Sequence, residues 1–232
     1  MANHLLAGLS AVELRALEPI DYVRLPLRAV VFEAQEPLKY LYFPASGVVS
    51  FVHADERGAM PEIAHVGCEG VLGASALFGT ERARHRAIVQ FAGYAYRVPV
   101  RSARHAFGQS AAFRALALRV TELLLLQLSQ NVFCKLAHIV EQQFCARLLL
   151  YADRTGGTCL ELTHEQMAEA LGSRRQGITE VARRLQARQV IAYSRGRMSL
   201  LDRDAAERHA CLCYRVVGDA YRAAEPAHAA SA

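Results

Sequence analysis

The chain has 232 residues, 53% of them hydrophobic and 8% aromatic, so it can bury a globular core and is long enough for two modest domains. Lys and Arg number 27 against 22 Asp and Glu, which gives a formal net charge of +5. No apolar run is long enough to cross a membrane, and the N-terminus lacks the basic start and apolar core of a signal peptide. We therefore expect a cytoplasmic protein with no membrane partner, in which the six cysteines are reduced thiols.

The N-terminal half changes its hydrophobic pattern once, from helical to extended. Residues 1–20 predict a short helix, with Ser10 and Glu13 spaced as a capping box. Residues 22–100 then show brief apolar runs separated by Gly, Pro and Asp, and Asp55-Glu56-Arg57-Gly58 marks a hairpin tip. Short strands at regular spacing are typical of an antiparallel sandwich or barrel.

Residues 110–136 contain no proline or glycine and predict one long helix. A stripe along it alternates by four and three residues, as the seam of a coiled coil does. We expect this stripe to pair two copies of the chain, and a second apolar face to pack on the sheet; the alternative is a core helix of a monomer. The stripe consists of Phe113, Ala117, Val120, Leu124, Gln127 and Asn131. A further helix is predicted at residues 139–151.

Residues 162–201 predict a helix-turn-helix (HTH) followed by a β-hairpin wing. Thr163 and Gln166 are spaced as a capping box, and Gly172 stands where the first helix must end in a left-handed residue. Ser173 is positioned to cap the second helix, whose inward residues are Ile178, Val181 and Leu185. Small residues at the helix crossing and a glycine between two short strands complete the motif.

The second helix carries residue types that read base edges, because Arg suits guanine, Gln suits adenine and Glu suits cytosine. The candidate base-reading residues are Arg175, Gln176, Thr179 and Glu180. Cations and hydroxyls nearby suit phosphates: Thr163, His164, Ser173, Arg174, Arg183, Arg184, Arg195 and Arg197. Residues 163–203 hold eight arginines and four acidic residues, so this segment carries +4 of the formal +5. The pattern predicts a domain that binds double-stranded DNA.

A sheet barrel, a long helix and a C-terminal winged HTH, in this order, resemble the Crp/Fnr family of bacterial transcription regulators. The resemblance covers nearly the whole chain and is strongest in LTHEQMAEALGSRRQGITEVARRL, with further likeness in LYFPASGVVSFV and VGCEGVLGASALFG. It implies an α+β fold: an antiparallel β-roll or jelly roll of the cyclic-nucleotide-binding type in residues 1–108, a dimerisation helix in 109–137 and a winged HTH in 138–232. It also implies that a homodimer reads half-sites through Arg175, Gln176 and Glu180, and that the bound protein contacts RNA polymerase.

The family's ligand pocket normally carries Gly-Glu for the ribose and an Arg for the cyclic phosphate. The matching positions here are Gly73-Ala74 and His85-Arg86, so the ribose carboxylate is replaced by Ala74 and the arginine is displaced by one position. A phosphate and a ribose without these partners lose several kcal/mol of recognition. We therefore expect a degenerate sensor that does not bind cyclic AMP; the alternative is an effector- or redox-gated barrel with another small ligand.

The cysteines show no iron–sulfur pattern, because none precedes Cys68 and most stand alone. Cys211 and Cys213 are the one close pair, with His209 as a weak third ligand, and unpaired thiols are the simpler interpretation. We therefore expect no metal and no cofactor. Because no Ser-His-Asp, metal-ligand or phosphate-loop constellation occurs in the sequence, we expect no catalytic residues and no enzyme.

Overall fold

The structure, a computed structural model, describes residues 2–53 and 60–224. The helices are α1 (His4–Ala7), α2 (Ala11–Ala16), α3 (Val100–Gln109), α4 (Ala111–Ala137), α5 (Val140–Thr155), α6 (His164–Leu171), α7 (Arg175–Ala187), α8 (Arg203–His209) and α9 (Cys213–Ala224). The strands are β1 (Asp21–Leu25), β2 (Val30–Phe32), β3 (Tyr40–Val52), β4 (Glu62–Val66), β5 (Arg86–Pro99), β6 (Cys159–Glu161), β7 (Ile191–Ser194) and β8 (Arg197–Leu200). The predicted hairpin tip at residues 55–58 lies outside the described residues.

The chain divides into two compact units. Of the described residues, the first unit contains 2–51, 65–125 and 220–224, and the second contains 52–53, 60–64 and 126–219. The boundaries fall within β3, β4, α4 and α9 rather than in linkers. None of the described helices is long and apolar enough to cross a membrane.

The first unit is built on an antiparallel sheet, as the strand pattern predicted. The strand order is β1-β5-β3-β4, and β2 also pairs with β5. Two runs that the sequence separates, residues 40–43 and 47–52, form the single long strand β3. Gly47 and Gly93 make this possible, since a Cβ on Gly93 would lie 2.2 Å from the carbonyl oxygen of Ser46. The strands therefore approach more closely than any larger residue would allow.

The N-terminal helical segment is split in two, whereas the sequence predicted one short helix. Asn3 begins α1 by accepting hydrogen bonds from the backbone of Leu5 and Leu6. The capping box of Ser10 and Glu13 is present and begins α2. The Ser110 hydroxyl accepts from the Phe113 backbone N–H at 3.0 Å and so begins the long helix α4, which runs without interruption as predicted.

The second unit contains the first residues of β4, residues 126–137 of α4, the helices α5 to α8, most of α9 and the small sheet β6-β8-β7. Helix α5 is buried on all sides over residues 143–152, which include Phe144, Leu148 and Tyr151. The helix ends at Gly156, which has a φ of 66°. Strand β6 had no counterpart in the sequence analysis, because three residues carry too short a pattern. It pairs with β8 and extends the predicted hairpin to three strands.

Candidate nucleic-acid interface

The two helices of the HTH are α6 and α7, and local signals fix where α6 starts and stops. Gln166 Oε1 accepts from the Thr163 backbone N–H at 2.7 Å, and Thr163 Oγ1 accepts from the Gln166 backbone N–H at 3.1 Å. Gly172 ends the helix with a φ of 51°. The predicted capping box and terminating glycine are therefore confirmed.

The N-cap of α7 lies one residue later in the chain than predicted. Arg174, not Ser173, occupies the N-cap position, and its side chain makes no capping hydrogen bond. The Ser173 hydroxyl donates instead to the Leu171 carbonyl at 3.3 Å. Ser173 belongs to the turn that ends α6, because its backbone N–H donates to the Ala168 carbonyl.

The inward face of α7 holds the helix on the unit, as its apolar spacing predicted. Ile178, Val181, Ala182 and Leu185 are all buried. Each large aliphatic residue in such a position contributes about 1.5–3 kcal/mol of hydrophobic free energy. The opposite face is consequently fixed in orientation.

The exposed face of α7 carries the four candidate base-reading residues, Arg175, Gln176, Thr179 and Glu180. Their spacing puts them on one side of the helix, in its first two turns. Gln176 Nε2 donates to Glu180 Oε1 at 3.3 Å, and Thr179 Oγ1 donates to the Arg175 carbonyl at 3.0 Å. These contacts are solvent-exposed and weak, so the polar groups can exchange them for base edges at small cost.

His164, the first residue of α6, contacts the exposed face of α7. Its ring stacks on Tyr193 with centroids 3.9 Å apart, and Nδ1 lies 3.2 Å from the Thr179 hydroxyl oxygen. Burial, with a smaller contribution from the Arg175 charge, lowers the pKa of His164. The imidazole therefore remains neutral at neutral pH and connects α6, α7 and β7 at one point.

The arginines in the second half of α7 and at its C-cap have different surroundings. Arg184 Nε lies 3.0 Å from Glu141 Oε2, and Arg188 Nη1 lies 3.1 Å from Glu141 Oε1. Arg183 is exposed on the adjacent position of the helix. The predicted phosphate residues Arg183 and Arg184 thus differ, because Arg184 is engaged by a carboxylate from α5.

The wing is a tight hairpin whose turn carries positive charge. Ser194 pairs with Arg197, and the two residues between them, Arg195 and Gly196, have φ values of 49° and 77°. Two consecutive left-handed residues are what a type I′ turn requires. Glycine meets this requirement freely, but arginine does so at a steric cost.

The candidate ligand pocket of the first unit is small. Gly73, Ala74 and His85 line a cavity of about 150 Å³, together with residues that include Arg84 and Ser75. Arg86, the other candidate, is not among the lining residues, and its Nε lies 3.1 Å from Glu33 Oε2. The cavity therefore brings together three of the four candidate pocket residues, and Ala74 offers it no carboxylate.

The stripe that we expected to pair two copies faces its own chain, which corrects that prediction. Phe113 and Ala117 are each 1% exposed and Gln127 is 0% exposed. Val120 and Leu124 are half-buried, and Asn131 donates to the Ile63 carbonyl at 2.9 Å. Both stripes of α4 repeat every three to four residues, so spacing alone could not tell which one would pack inward. The exposed apolar residues are Leu118, Leu125, Val132, Phe133 and Leu136.

Sequence reasoning also missed two polar clusters in the second unit. The buried carboxylate of Glu62 forms an ion pair with buried Arg147 and accepts a hydrogen bond from Tyr151 at 2.7 Å. Separately, Cys134 and His138 lie next to Cys211 and Cys213. The Cys-x-x-x-His spacing of the first pair, which puts the two residues about one helical turn apart, was a usable signal.

Comparison with known proteins assigns both halves of the chain. The family model of the cyclic nucleotide-binding domain matches residues 22–110, and that of the Crp-like helix-turn-helix domain matches residues 142–208. These matches span 89 and 67 residues, about two thirds of the chain. No curated protein sequence matches at a significant level.

Solved structures share the fold. A putative transcriptional regulator of the Crp/Fnr family from Eubacterium rectale is 15% identical, with a TM-score of 0.70 over 91% of this chain and 97% of that one. A CRP family regulator from Thermus thermophilus is 20% identical, with a TM-score of 0.71 over 81% and 96%. FixK2 from Bradyrhizobium japonicum is 16% identical, with a TM-score of 0.69 over 83% and 98%. With a cyclic nucleotide-binding domain followed by a Crp-like HTH, the chain belongs to the Crp/Fnr family of transcriptional regulators.

Proposed function

We propose that this regulator binds a two-fold symmetric DNA site as a homodimer, with α7 of each copy in the major groove. The observation that carries the proposal is the exposed row of Arg175, Gln176, Thr179 and Glu180 on one face of α7. Their side-chain chemistry matches base edges, and the face is held outward by the buried opposite side of the helix.

Each side chain of this row has a role. Arg175 pairs with guanine O6 and N7, Gln176 with adenine N6 and N7, and Glu180 accepts from cytosine N4. Thr179, positioned by His164, offers a hydroxyl or a methyl group to the same groove. The ion pair of Arg175 with Glu165, 3.5 Å long and exposed, opens when DNA takes the guanidinium.

Phosphate contacts come from the rim of this surface. Thr163, His164, Ser173 and Arg174 lie at or next to the N-termini of α6 and α7, where backbone N–H groups also favour anions. Arg195 and Arg197 reach the backbone from the wing, and Arg183 from α7. Arg184 contributes only if it leaves Glu141.

The homodimer forms through the exposed face of α4. Leu118, Leu125 and Val132 are 50%, 59% and 62% exposed and lie seven residues apart, and Leu136 follows at 84%. A seven-residue apolar repeat on an exposed helix is the pattern of a coiled-coil seam, and its natural occupant is the same helix of a second copy. DNA-binding HTH domains commonly present two recognition helices in this way.

The first unit acts without cyclic AMP. Its cavity of about 150 Å³ is smaller than the 300 to 1,000 Å³ or so that ligand pockets occupy, and Ala74 offers no ribose acceptor. Arg86 is neutralised by Glu33.

A second candidate function, gating by a small effector, is favoured by the polar groups of Arg84, His85 and Ser75 on that cavity. Contact with RNA polymerase, which the family resemblance implies, stays a prediction.

Selection from a randomised pool of double-stranded DNA at fixed salt tests the main proposal. We expect wild type to recover a two-fold symmetric site, and Arg175→Ala to relax one base position in each half-site, with a loss of about 1–3 kcal/mol there. Arg215→Ala, in an exposed arginine of α9, is the matched control and keeps the wild-type site. Binding without sequence preference by the wild type, or an unchanged site with Arg175→Ala, would contradict the proposed role of α7.

A further inference from the structure

The second unit contains a cluster of three thiols and one imidazole that the DNA-binding function does not use. Cys134 lies in the last turn of α4, and His138 follows in the junction to α5. Cys211 lies between α8 and α9, and Cys213 is the first residue of α9. The four potential ligand atoms all lie within 4.8 Å of one another. Two junctions that are distant in sequence therefore meet at a single point.

The distances within this cluster suit a shared metal ion better than a covalent link. The Sγ atoms of Cys134 and Cys211 are 3.5 Å apart, and Cys213 Sγ lies 3.5 Å from His138 Nδ1. A disulfide requires about 2.05 Å between sulfurs. In a tetrahedral zinc site with Zn–S bonds of about 2.3 Å, ligand sulfurs lie about 3.8 Å apart. The observed spacings are close to that value, so an ion fits after only small movements.

A polar side chain outside the cluster contacts one of the sulfurs. Gln130 Nε2 lies 3.1 Å from Cys213 Sγ and can donate to it, which is how outer-shell groups orient and stabilise metal-binding thiolates. Gln130 is therefore placed as an outer-shell partner of the cluster.

The donor set identifies the class of ion. Three thiolates and one imidazole form a closed Cys₃His set, which structural zinc sites use, and soft sulfur ligands disfavour Mg²⁺ and Ca²⁺. Cys134 and Cys213 also line a cavity of about 590 Å³ within this unit, which gives an ion a route to the sulfurs. We propose that Cys134, His138, Cys211 and Cys213 form a structural zinc site that joins the α4–α5 junction to the α8–α9 junction.

This proposal departs from the expectation of no metal, which treated Cys134 as separate from the Cys211 and Cys213 pair. The ligand that the sequence analysis considered, His209, lies 3.3 Å from Glu141 instead. His138 takes its place because the turn after α4 directs it toward Cys213.

Cobalt substitution of the full-length chain tests the site directly. The reduced protein is stripped with a chelator and titrated anaerobically with Co²⁺. We expect one Co²⁺ per chain, the intense visible bands of tetrahedral cobalt, sulfur-to-cobalt charge-transfer bands in the near ultraviolet, and displacement of both by one equivalent of Zn²⁺. Absence of these bands from the wild type would overturn the proposal.

Variants assign the ligands. Cys134→Ser and His138→Ala should each weaken Zn²⁺ binding, measured by competition with a chromophoric chelator, by at least about 100-fold, and Gln130→Ala by about 10-fold. Cys159→Ser, which removes an exposed thiol of the same unit, is the matched control and leaves the affinity unchanged. Equal affinities of Cys134→Ser and wild type would overturn the assignment.

Alkylation of the wild-type cysteines, with and without Zn²⁺, tests the site without any ligand variant. Zn²⁺ should protect Cys134, Cys211 and Cys213 from alkylation, as read by peptide mass mapping, and leave Cys159 reactive. Equal labelling with and without Zn²⁺ would contradict the site. Stoichiometric iron and sulfide in the anaerobically isolated protein would overturn the assignment to zinc.

Discussion

Glu62 places a carboxylate in the buried interior of the second unit. Both Glu62 and Arg147 are buried, at 8% and 7% exposure, and Tyr151 donates a hydrogen bond to the same carboxylate. Removing one member of a buried pair leaves the other charge without compensation. Burial already lowers the pKa of Arg147, so this cation has little alternative solvation.

We expect Glu62→Ala to reduce the free energy of unfolding by about 3–5 kcal/mol, measured by urea denaturation followed by circular dichroism. Glu207→Ala removes an exposed ion pair with Arg203 in the same unit, and should cost less than about 0.5 kcal/mol. Replacing both members of the buried pair, Glu62→Leu with Arg147→Met, should recover most of the loss. Similar losses for Glu62→Ala and Glu207→Ala would mean that water reaches the buried pair.

The wing turn shows a conflict between backbone geometry and charge. Arg195 holds a left-handed conformation, with a φ of 49°, that arginine adopts only at a steric cost, whereas Asn tolerates it well. We therefore expect Arg195→Asn to raise stability by about 1 kcal/mol and yet to weaken DNA binding, because the phosphate contact is lost. Thermal unfolding and a binding titration on the selected site measure the two effects. A variant that gains stability and keeps its affinity would show that Arg195 does not touch DNA.

The exposed apolar stripe of α4 is proposed to hold two copies of the chain together, and a charge placed in it should separate them. Leu125→Glu places a charge in the middle of the proposed seam, where each copy would bury it against the other. We expect light scattering to give twice 25.5 kDa for the wild type and 25.5 kDa for the variant. Val12→Glu, at a comparably exposed apolar residue of α2, should remain a dimer. A wild-type mass of one chain, or a dimeric Leu125→Glu, would refute the seam.

Elements whose signals act within a few residues were predictable from the sequence, and those set by distant contacts were not. The capping box of Thr163 and Gln166 and the glycine at 172 lie within ten residues of each other, so their spacing was sufficient to place α6. The inward face of α4 depends on what packs against it, and both its stripes satisfy helical spacing. The thiol cluster joins Cys134 to Cys211, a pairing that only the folded chain brings about.

The positive charge of the chain is concentrated on the surface proposed to bind DNA. The dependence of DNA affinity on salt concentration therefore reports how many phosphates the dimer contacts. Apart from Arg184, which is paired with Glu141, each copy offers four exposed arginines from the proposed phosphate set: Arg174, Arg183, Arg195 and Arg197. A homodimer presents two such sets. Release of counterions from about eight phosphates predicts a slope of about −7 in a plot of log affinity against log salt concentration.

Variants of two neighbouring arginines, Arg183 and Arg184, distinguish a phosphate contact from a structural ion pair by their effect on this slope. We expect Arg183→Ala to change the slope to about −5, because one phosphate contact is lost from each copy. Arg184→Ala is the matched control: since its guanidinium is engaged by Glu141 at 3.0 Å, the slope should stay near that of the wild type. If Arg184→Ala shifts the slope as much as Arg183→Ala does, then Arg184 exchanges Glu141 for a phosphate on binding, and the α5–α7 contact opens when the protein engages DNA.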